Sequence, residues 1–246
     1  MTSALSPAEL AMLFTDIGAQ LGADAEDSEK RVLDDLVRIA VERVDGADYA
    51  GITVGRDQEC FQTPAATSEL VMKCDQIQYE LASGPCVDAA LEQSVFNAAD
   101  LRTDPRWPEF GHRCVEHTGI VSMLSIRLFV ESDAGMIAGL NMYSHQPDAF
   151  DDNSEAVGQL LATHGALAVA KASAQDKSRN LLRALETSRE IGMAMGIIMN
   201  ACKVTRDQAF DLLRTASQHS HRRLADVASL VAETGAVPNS LGEQQR

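Results

Sequence analysis

Cysteine and histidine are the side chains here most able to do chemistry, and their spacing limits what that chemistry is. Cys114 and His117 stand three apart, with His112 nearby, so one helix turn could offer two or three metal ligands. A closed zinc site takes four ligands, normally from two such pairs, and no second pair follows. The competing reading is a buried thiol beside two surface imidazoles. Cys86 follows Gly84-Pro85 at an expected helix start, where backbone N–H groups lower a thiol pKa; it is a reactive thiol or a small buried hydrophobe. The chain's five cysteines, Cys60, Cys74, Cys86, Cys114 and Cys202, form no CxxC. An odd, scattered set in a chain of 246 residues argues for reduced thiols and a cytoplasmic location. No Gly-rich phosphate loop, HExxH or GxSxG is present, which argues against an enzyme, and neither a metal nor a cofactor is implied.

Charge divides the chain. The net charge of −15 alone argues against nucleic acid, but residues 1–175 hold 11 Lys+Arg against 28 Asp+Glu, net −17, and residues 176–246 hold 10 against 8, net +2. The acidic part repels phosphate and the tail does not. No apolar run approaches the ~20 residues that cross a bilayer, and the N-terminus shows no secretory pattern.

The elements that must position these groups follow from periodicity. Ser6-Pro7 starts a helix with Leu10, Leu13, Phe14, Ile17 and Leu21 on one side. That helix either packs on the next domain or joins a dimer bundle. Gly22 to Asp27 is an acidic break. Ser28 to Val44 is amphipathic, with Val32, Leu36, Ile39, Ala40 and Val44 inward. Strands are expected at Ala47–Val54, Glu59–Thr63, Val95–Ala98, Val121–Val130 and Gly135–Tyr143, with turns at Asp57-Gln58 and Ser132-Asp133-Ala134. Helices are expected at Glu69–Gln78, Cys86–Leu91 and Glu109–Glu116. Together they predict an α+β domain, an antiparallel sheet flanked by helices. Ser154–Arg189 reads as one long helix. Leu160, Leu167, Ala174 and Leu181 recur along it every seven residues, the outline of a coiled-coil seam. The positions His164, Lys171, Ser178 and Leu185 between them are mostly polar. The alternatives are a homodimer through that seam and a solvated linker.

The long helix leads to an all-α head. Ile191, Met195, Ile198 and Met199 line one helix side. After a break at Ala201–Val204, Thr205 and Gln208 form a capping box for a helix presenting Ala209, Phe210, Leu213 and Ala216. A second break at His219–His221 precedes the stripe Leu224, Val227, Ala228, Val231, with Gly235 and Pro238 as the stop. Three short helices with one apolar face each must bury those faces together. The expected domains are an N-terminal helix at 1–27, a sensor at 28–172 and a connecting helix with the head at 173–246.

The strings SREIGMAMGIIM, DQAFDLLRTASQ and RRLADVASLV, in this order, resemble the ANTAR domain of bacterial transcription antitermination regulators. YELASGPCVDAA, DPRWPEF and LNMYSHQPDAF resemble a GAF domain of the actinobacterial kind, over about Glu29 to Ala172. The first resemblance implies dimers that bind paired RNA stem-loops and oppose a terminator. RNA contacts would then come from Arg189, Arg214, Arg222 and Arg223, with Arg206 and Lys203 as further cations, from Gln218, and from backbone approach or close helix packing at Gly196. The family's usual Gln and Lys are here Met193 and Met195, which implies the loss of a phosphate contact. The GAF resemblance implies a small-molecule pocket between sheet and loops. Tyr79, Trp107, Phe110 and Tyr143 would form an apolar wall with polar tips, Ser125 and Asn141 would hydrogen-bond from strands, and Cys86 would be a further ligand-binding residue; the alternative is that these residues pack a core. The family's acidic-glycine pair before Gly-Pro-Cys is here Ala82-Ser83. The implied whole is a signal-responsive antitermination regulator. The rival is a ligand- or partner-binding sensor whose head serves dimerisation or protein contacts.

Overall fold

The computed structural model describes residues 5–22, 28–56, 60–92, 95–128 and 136–237. The expected turns at Asp57-Gln58 and Ser132–Ala134, most of the acidic break after Gly22, and Pro238 lie outside the described residues. By contacts the chain divides into two units, Met1–Asp176 and Lys177–Arg246.

The first unit holds α1 (Pro7–Gly22), α2 (Glu29–Arg43), β1 (Tyr49–Arg56), β2 (Cys60–Ala66), α3 (Glu69–Leu81), α4 (Pro85–Glu92), β3 (Val95–Ala98), α5 (Pro108–Thr118), β4 (Ser122–Leu128), β5 (Met136–Ser144) and the first part of α6 (Asp152–Cys202). The strands pair antiparallel throughout, in the order β2-β1-β5-β4-β3. Strand side chains alternate between faces, and this alternation builds two separate cores. Ala50 and Ile52 of β1, Leu124, Ile126 and Leu128 of β4, and Ala138, Leu140 and Met142 of β5 meet Leu36, Ile39 and Ala40 of α2 and Val157, Leu161 and Ala166 of α6. The other face packs Met123 and Tyr143 against Val71, Cys74 and Ile77 of α3, Cys86 and Val87 of α4, and Phe110 and Cys114 of α5. On the first face α6 approaches closely: a Cβ on Gly158 would lie 2.5 Å from Ile126, and one on Gly165 2.3 Å from Leu36.

Helix α1 packs against α2 and α6. Its Ile17 and Leu21 are buried in the α2–α6 core, and the Phe14 ring packs on His164 of α6 at 4.1 Å, so the stripe covers its own unit. His164 is thereby committed to α1. Ser28 caps α2 by accepting from the Arg31 amide. Edge strand β2 carries a bulge: Ile52 pairs with Ala65 and Val54 with Gln62, so Thr63 and Pro64 together oppose Thr53. A proline, with no N–H to give a ladder, is tolerated at such a place.

Helix α6 is longer than expected, 51 residues without a break; its second part belongs to the head. There it joins α7 (Arg206–Ser220) and α8 (Leu224–Thr234). Lys203 takes a left-handed conformation at φ 56°, which ends α6. Thr205 and Gln208 then form the expected capping box. Ala194, Met195, Ile198, Ala209, Leu213, Ala216, Val227, Ala228 and Val231 make the head's core, and Gly235 caps α8 at φ 68°. Phe210 differs from expectation. It is 38 % exposed, because Ala209, Leu213 and Ala216 define the buried side of α7 and Phe210 falls at its margin. No described helix is long and apolar enough to cross a membrane.

Candidate functional site

On the α3–α5 side of the sheet, alternation turns Thr53, Ser125, Asn141 and Tyr143 inward, and all four are fully buried. A buried polar group costs about 1–3 kcal/mol when left unpaired, so this face has to supply partners. The centre is Asp75 of α3, also fully buried. It accepts hydrogen bonds from the Tyr143 hydroxyl and, at 2.8 Å, from the Thr63 hydroxyl that the β2 bulge aims inward. The Gln78 amide lies 3.4 Å away, and the Gln78 Oε1 accepts from the Cys86 backbone N–H at 2.9 Å. The Tyr79 hydroxyl bridges Thr63 and Thr53 at 2.8 and 3.1 Å, and Asn141 donates to Thr53 at 2.9 Å. Burial raises the Asp75 carboxyl to about 6, against the opposing pull of its bonds from Tyr143 and Thr63. Burial, and then the Asp75 charge, push the Tyr79 and Tyr143 phenols up, so both stay protonated donors. Burial likewise pushes the Cys86 thiol up. Burial there opposes the helix start, and Cys86 packs in the core of this face.

The ligand residues expected from sequence are thus brought to one face, in two groups. Trp107, Phe110, Tyr143 and Cys86 are buried in its core. Trp107 is already satisfied, its indole N–H donating to Asp88 at 2.6 Å with the Arg106 guanidinium 4.3 Å over the ring. These side chains pack together in that core. Ser125 and Asn141 are different. They are direct cross-strand partners, and Ser125 Oγ and Asn141 Oδ1 are buried with no hydrogen-bond partner. Tyr79 is half-buried and stacks on Phe61 at 5.6 Å. Sequence reasoning missed Asp75, Thr53, Thr63 and Gln78. Thr53 was findable, because it shares its strand face with Tyr49 and Gly51, opposite Ala50 and Ile52. Asp75 was not, since a carboxylate in an amphipathic helix ordinarily faces water.

The side chains weighed as metal ligands separate. Cys114 is buried and His112 and His117 exposed, and the His117 ring is bonded to the Arg113 carbonyl at 2.8 Å. Among the described residues no group of three or more ligating side chains comes together.

In the head, Arg189, Gly196, Arg214, Gln218, Arg222 and Arg223 are all exposed. Arg214 and Gln218 are four apart on α7, hence on one side of it. That side leads into the turn at His221, φ 51°, which carries Arg222 and Arg223. Arg223 is the N-cap of α8 and offers no side-chain cap, so open N–H groups adjoin the two arginines. Arg214 pairs with Asp211 at 2.9 Å and Arg223 with Asp226 at 3.7 Å, both in the open, where such pairs hold weakly. Arg189, Met193 and Gly196 form a second exposed line on α6, spaced i, i+4, i+7. A Cβ on Gly196 would meet nothing within 4 Å, so packing inside the head does not require this glycine. Met195 is a correction to the phosphate-contact expectation. It is buried in the head's core, while Met193 remains exposed. Met195 also lines a groove of about 520 Å³ between α6 and α7, with Ile191, Gly192 and Phe210 and a rim of Arg206, Asp207 and Asp211. No spacing of residues announces this groove beyond Phe210's place in the α7 stripe.

The GAF domain model matches residues 26–170, more than half of the chain. The chain belongs to the GAF domain family. An ANTAR domain model matches residues 179–231, so the GAF domain is followed by an ANTAR domain; both are regulatory domains and not catalytic ones. Among solved structures, the GAF domain of a phosphoenolpyruvate-protein phosphotransferase from Coxiella burnetii is 20% identical, over 70% of this chain and 99% of that one, with a TM-score of 0.52. The N-acylhomoserine lactone dependent LuxR family transcription factor CepR2 from Burkholderia cenocepacia is 15% identical, over 66% and 96%, with a TM-score of 0.51. At these identities the likeness is one of fold. No curated protein matches the chain.

Proposed function

We propose that the chain is a signal-responsive transcription antitermination regulator, whose ANTAR domain binds RNA stem-loops as a homodimer under control of the GAF domain. The carrying observation is the grouping of Arg222, Arg223, Arg214 and Gln218 at and beside the α7–α8 turn in a chain otherwise strongly acidic. Cations and open helix N–H groups hold phosphates, and an exposed amide reads unpaired bases. Gly196 offers bare backbone on a second exposed line. A homodimer is supported by Leu167, Leu181, Leu182 and Leu185, all exposed on α6 at 59 % or more; burying such side chains against a second copy is favourable by about 25 cal/mol per Å². The GAF domain's input is a small molecule taken by the α3–α5 face, where Ser125 and Asn141 keep unused hydrogen-bonding atoms. The signal acts as a population shift among dimer geometries.

The test is titration of a labelled RNA with two stem-loops at several salt concentrations. Binding is expected to weaken along a linear log–log salt dependence, and Arg222→Ala with Arg223→Ala to reduce that slope by about two. A confirmed dimer that fails to bind at low salt overturns the reading. The groove at Phe210 and the exposed Met193 favour the second reading, a head for protein contacts, since methionine-rich surfaces suit adaptable partners. That reading gains if RNA binding is absent and Phe210→Ala abolishes self-association.

A further inference from the structure

Two of the GAF domain's buried thiols have no part in that reading. Cys74 lies on α3 and Cys114 on α5. Both are fully buried, both are free, and their Sγ atoms are 2.7 Å apart. A disulfide has its sulfurs about 2.05 Å apart, so the two side chains need to close by only about 0.7 Å. The helices that carry them are already tied together at the surface, where Arg113, next to Cys114, pairs with Glu80 of α3 at 2.6 Å. Cys86 shares the same core, but it sits on α4 with its amide held by Gln78. The pair is not a metal site, since no third ligating side chain joins it among the described residues.

We propose that Cys74 and Cys114 are a dithiol redox site of the sensor domain, joined as a disulfide on two-electron oxidation by a hydroperoxide. In the first step one sulfur attacks the peroxide; an S–O bond forms, the O–O bond breaks, and the leaving oxygen departs as an alcohol or as water. The second sulfur then attacks the resulting sulfenic acid. The S–S bond forms, the S–O bond breaks and water leaves. The two thiols have lost two electrons and two protons, and the peroxide has taken up both.

The surroundings set the character of this site. Burial, then the hydrogen bond with Cys114 and the neighbouring thiol and Asp75 charges, push the Cys74 thiol up. Thiolate, the reactive form, is therefore scarce, and oxidation waits on a local opening of α3 from α5. Both helices form the outer layer, with Met72, Lys73 and Gln76 of α3 and His112 and Glu116 of α5 exposed. Once formed, the bond returns to the same dry core and is shielded from reductants. It therefore records sustained oxidant exposure and ignores brief pulses. Its output is built into the helix: Cys74 precedes Asp75, whose carboxylate ties α3 to Tyr143 of β5 and Thr63 of β2. Fixing α3 to α5 bears directly on the polar cluster. None of this depends on RNA binding.

The test uses the full chain, reduced, freed of reductant and treated with hydrogen peroxide. Thiols are then counted after unfolding, and cross-linked peptides are mapped without reduction. The count is expected to fall from the chain's five to three, with a peptide pair joining Cys74 to Cys114 that is two hydrogens lighter and reverts with dithiothreitol. Cys60→Ser should leave that pair intact. Cys74→Ala and Cys114→Ala should each keep all four remaining thiols, and if either variant misfolds, the peptide map of the unmodified chain decides alone. Five thiols surviving exposure that fully oxidises a glutathione control overturn the proposal. So does a bond from either residue to Cys86, or conversion of either to a sulfinic acid.

Discussion

Along β5, Ala138, Leu140 and Met142 turn toward α2 and α6, while Gly139, Asn141 and Tyr143 turn toward α3, α4 and α5. The same strand thus serves two cores of opposite chemistry. One is sealed by aliphatic side chains, and Gly158 and Gly165 let α6 settle onto it. The other mixes aromatic rings with a carboxyl, hydroxyls, amides and three thiols. The first is organised for stability. The second carries groups whose protonation, oxidation or hydrogen bonding can change while the first stays fixed.

Three measurements would break or sharpen that contrast. On the apolar side, Leu36→Ala removes a fully buried side chain seated on Gly165. It should lower unfolding free energy by about 2–5 kcal/mol, read from urea midpoints, and to the same extent at acid and neutral pH. On the polar side, the Asp75 carboxyl is raised by burial to about 6, above its usual value of about 3.9. A raised value means that the folded chain favours the protonated form. Stability from this group is therefore full below pH 4 and lost as pH rises from about 4 to about 6, by an amount on the order of 3 kcal/mol. Asp75→Asn should flatten the stability profile in that window relative to the unmodified chain; parallel profiles would refute the carboxyl's role. The smallest effect belongs to Ser125→Ala. Its hydroxyl has no partner, so removing it should be neutral or stabilising by up to about 1 kcal/mol. A clear loss of stability would reveal a partner for that hydroxyl.

How much of this was legible varies with the physics involved. Period-two and period-3.6 patterns placed β3 at Val95–Ala98 as observed, and α2 to its cap at Ser28. The capping box at Thr205 was readable because it is a local device. Of the polar cluster, Tyr79, Asn141 and Tyr143 were readable and Asp75 was not, since what buries Asp75 is the approach of elements distant in sequence, among them β2 and β5. The contact of Cys74 with Cys114 joins residues 40 apart in sequence, and no spacing rule announces it. The two methionines of the head also had to be seen in place. Met193 and Met195 are separated by two positions, about 200° around a helix, and that rotation puts one in water and the other in the core.

Pro64 has a consequence outside signalling. The free edge of a sheet is a row of unsatisfied amides that another chain can extend into a fibre. In β2 that row is interrupted where Pro64 supplies no hydrogen, and the bulge bends the strand at the same place. A foreign strand laid alongside would lose register there. At this margin of the sheet, one imino acid thus opposes the stacking of further chains.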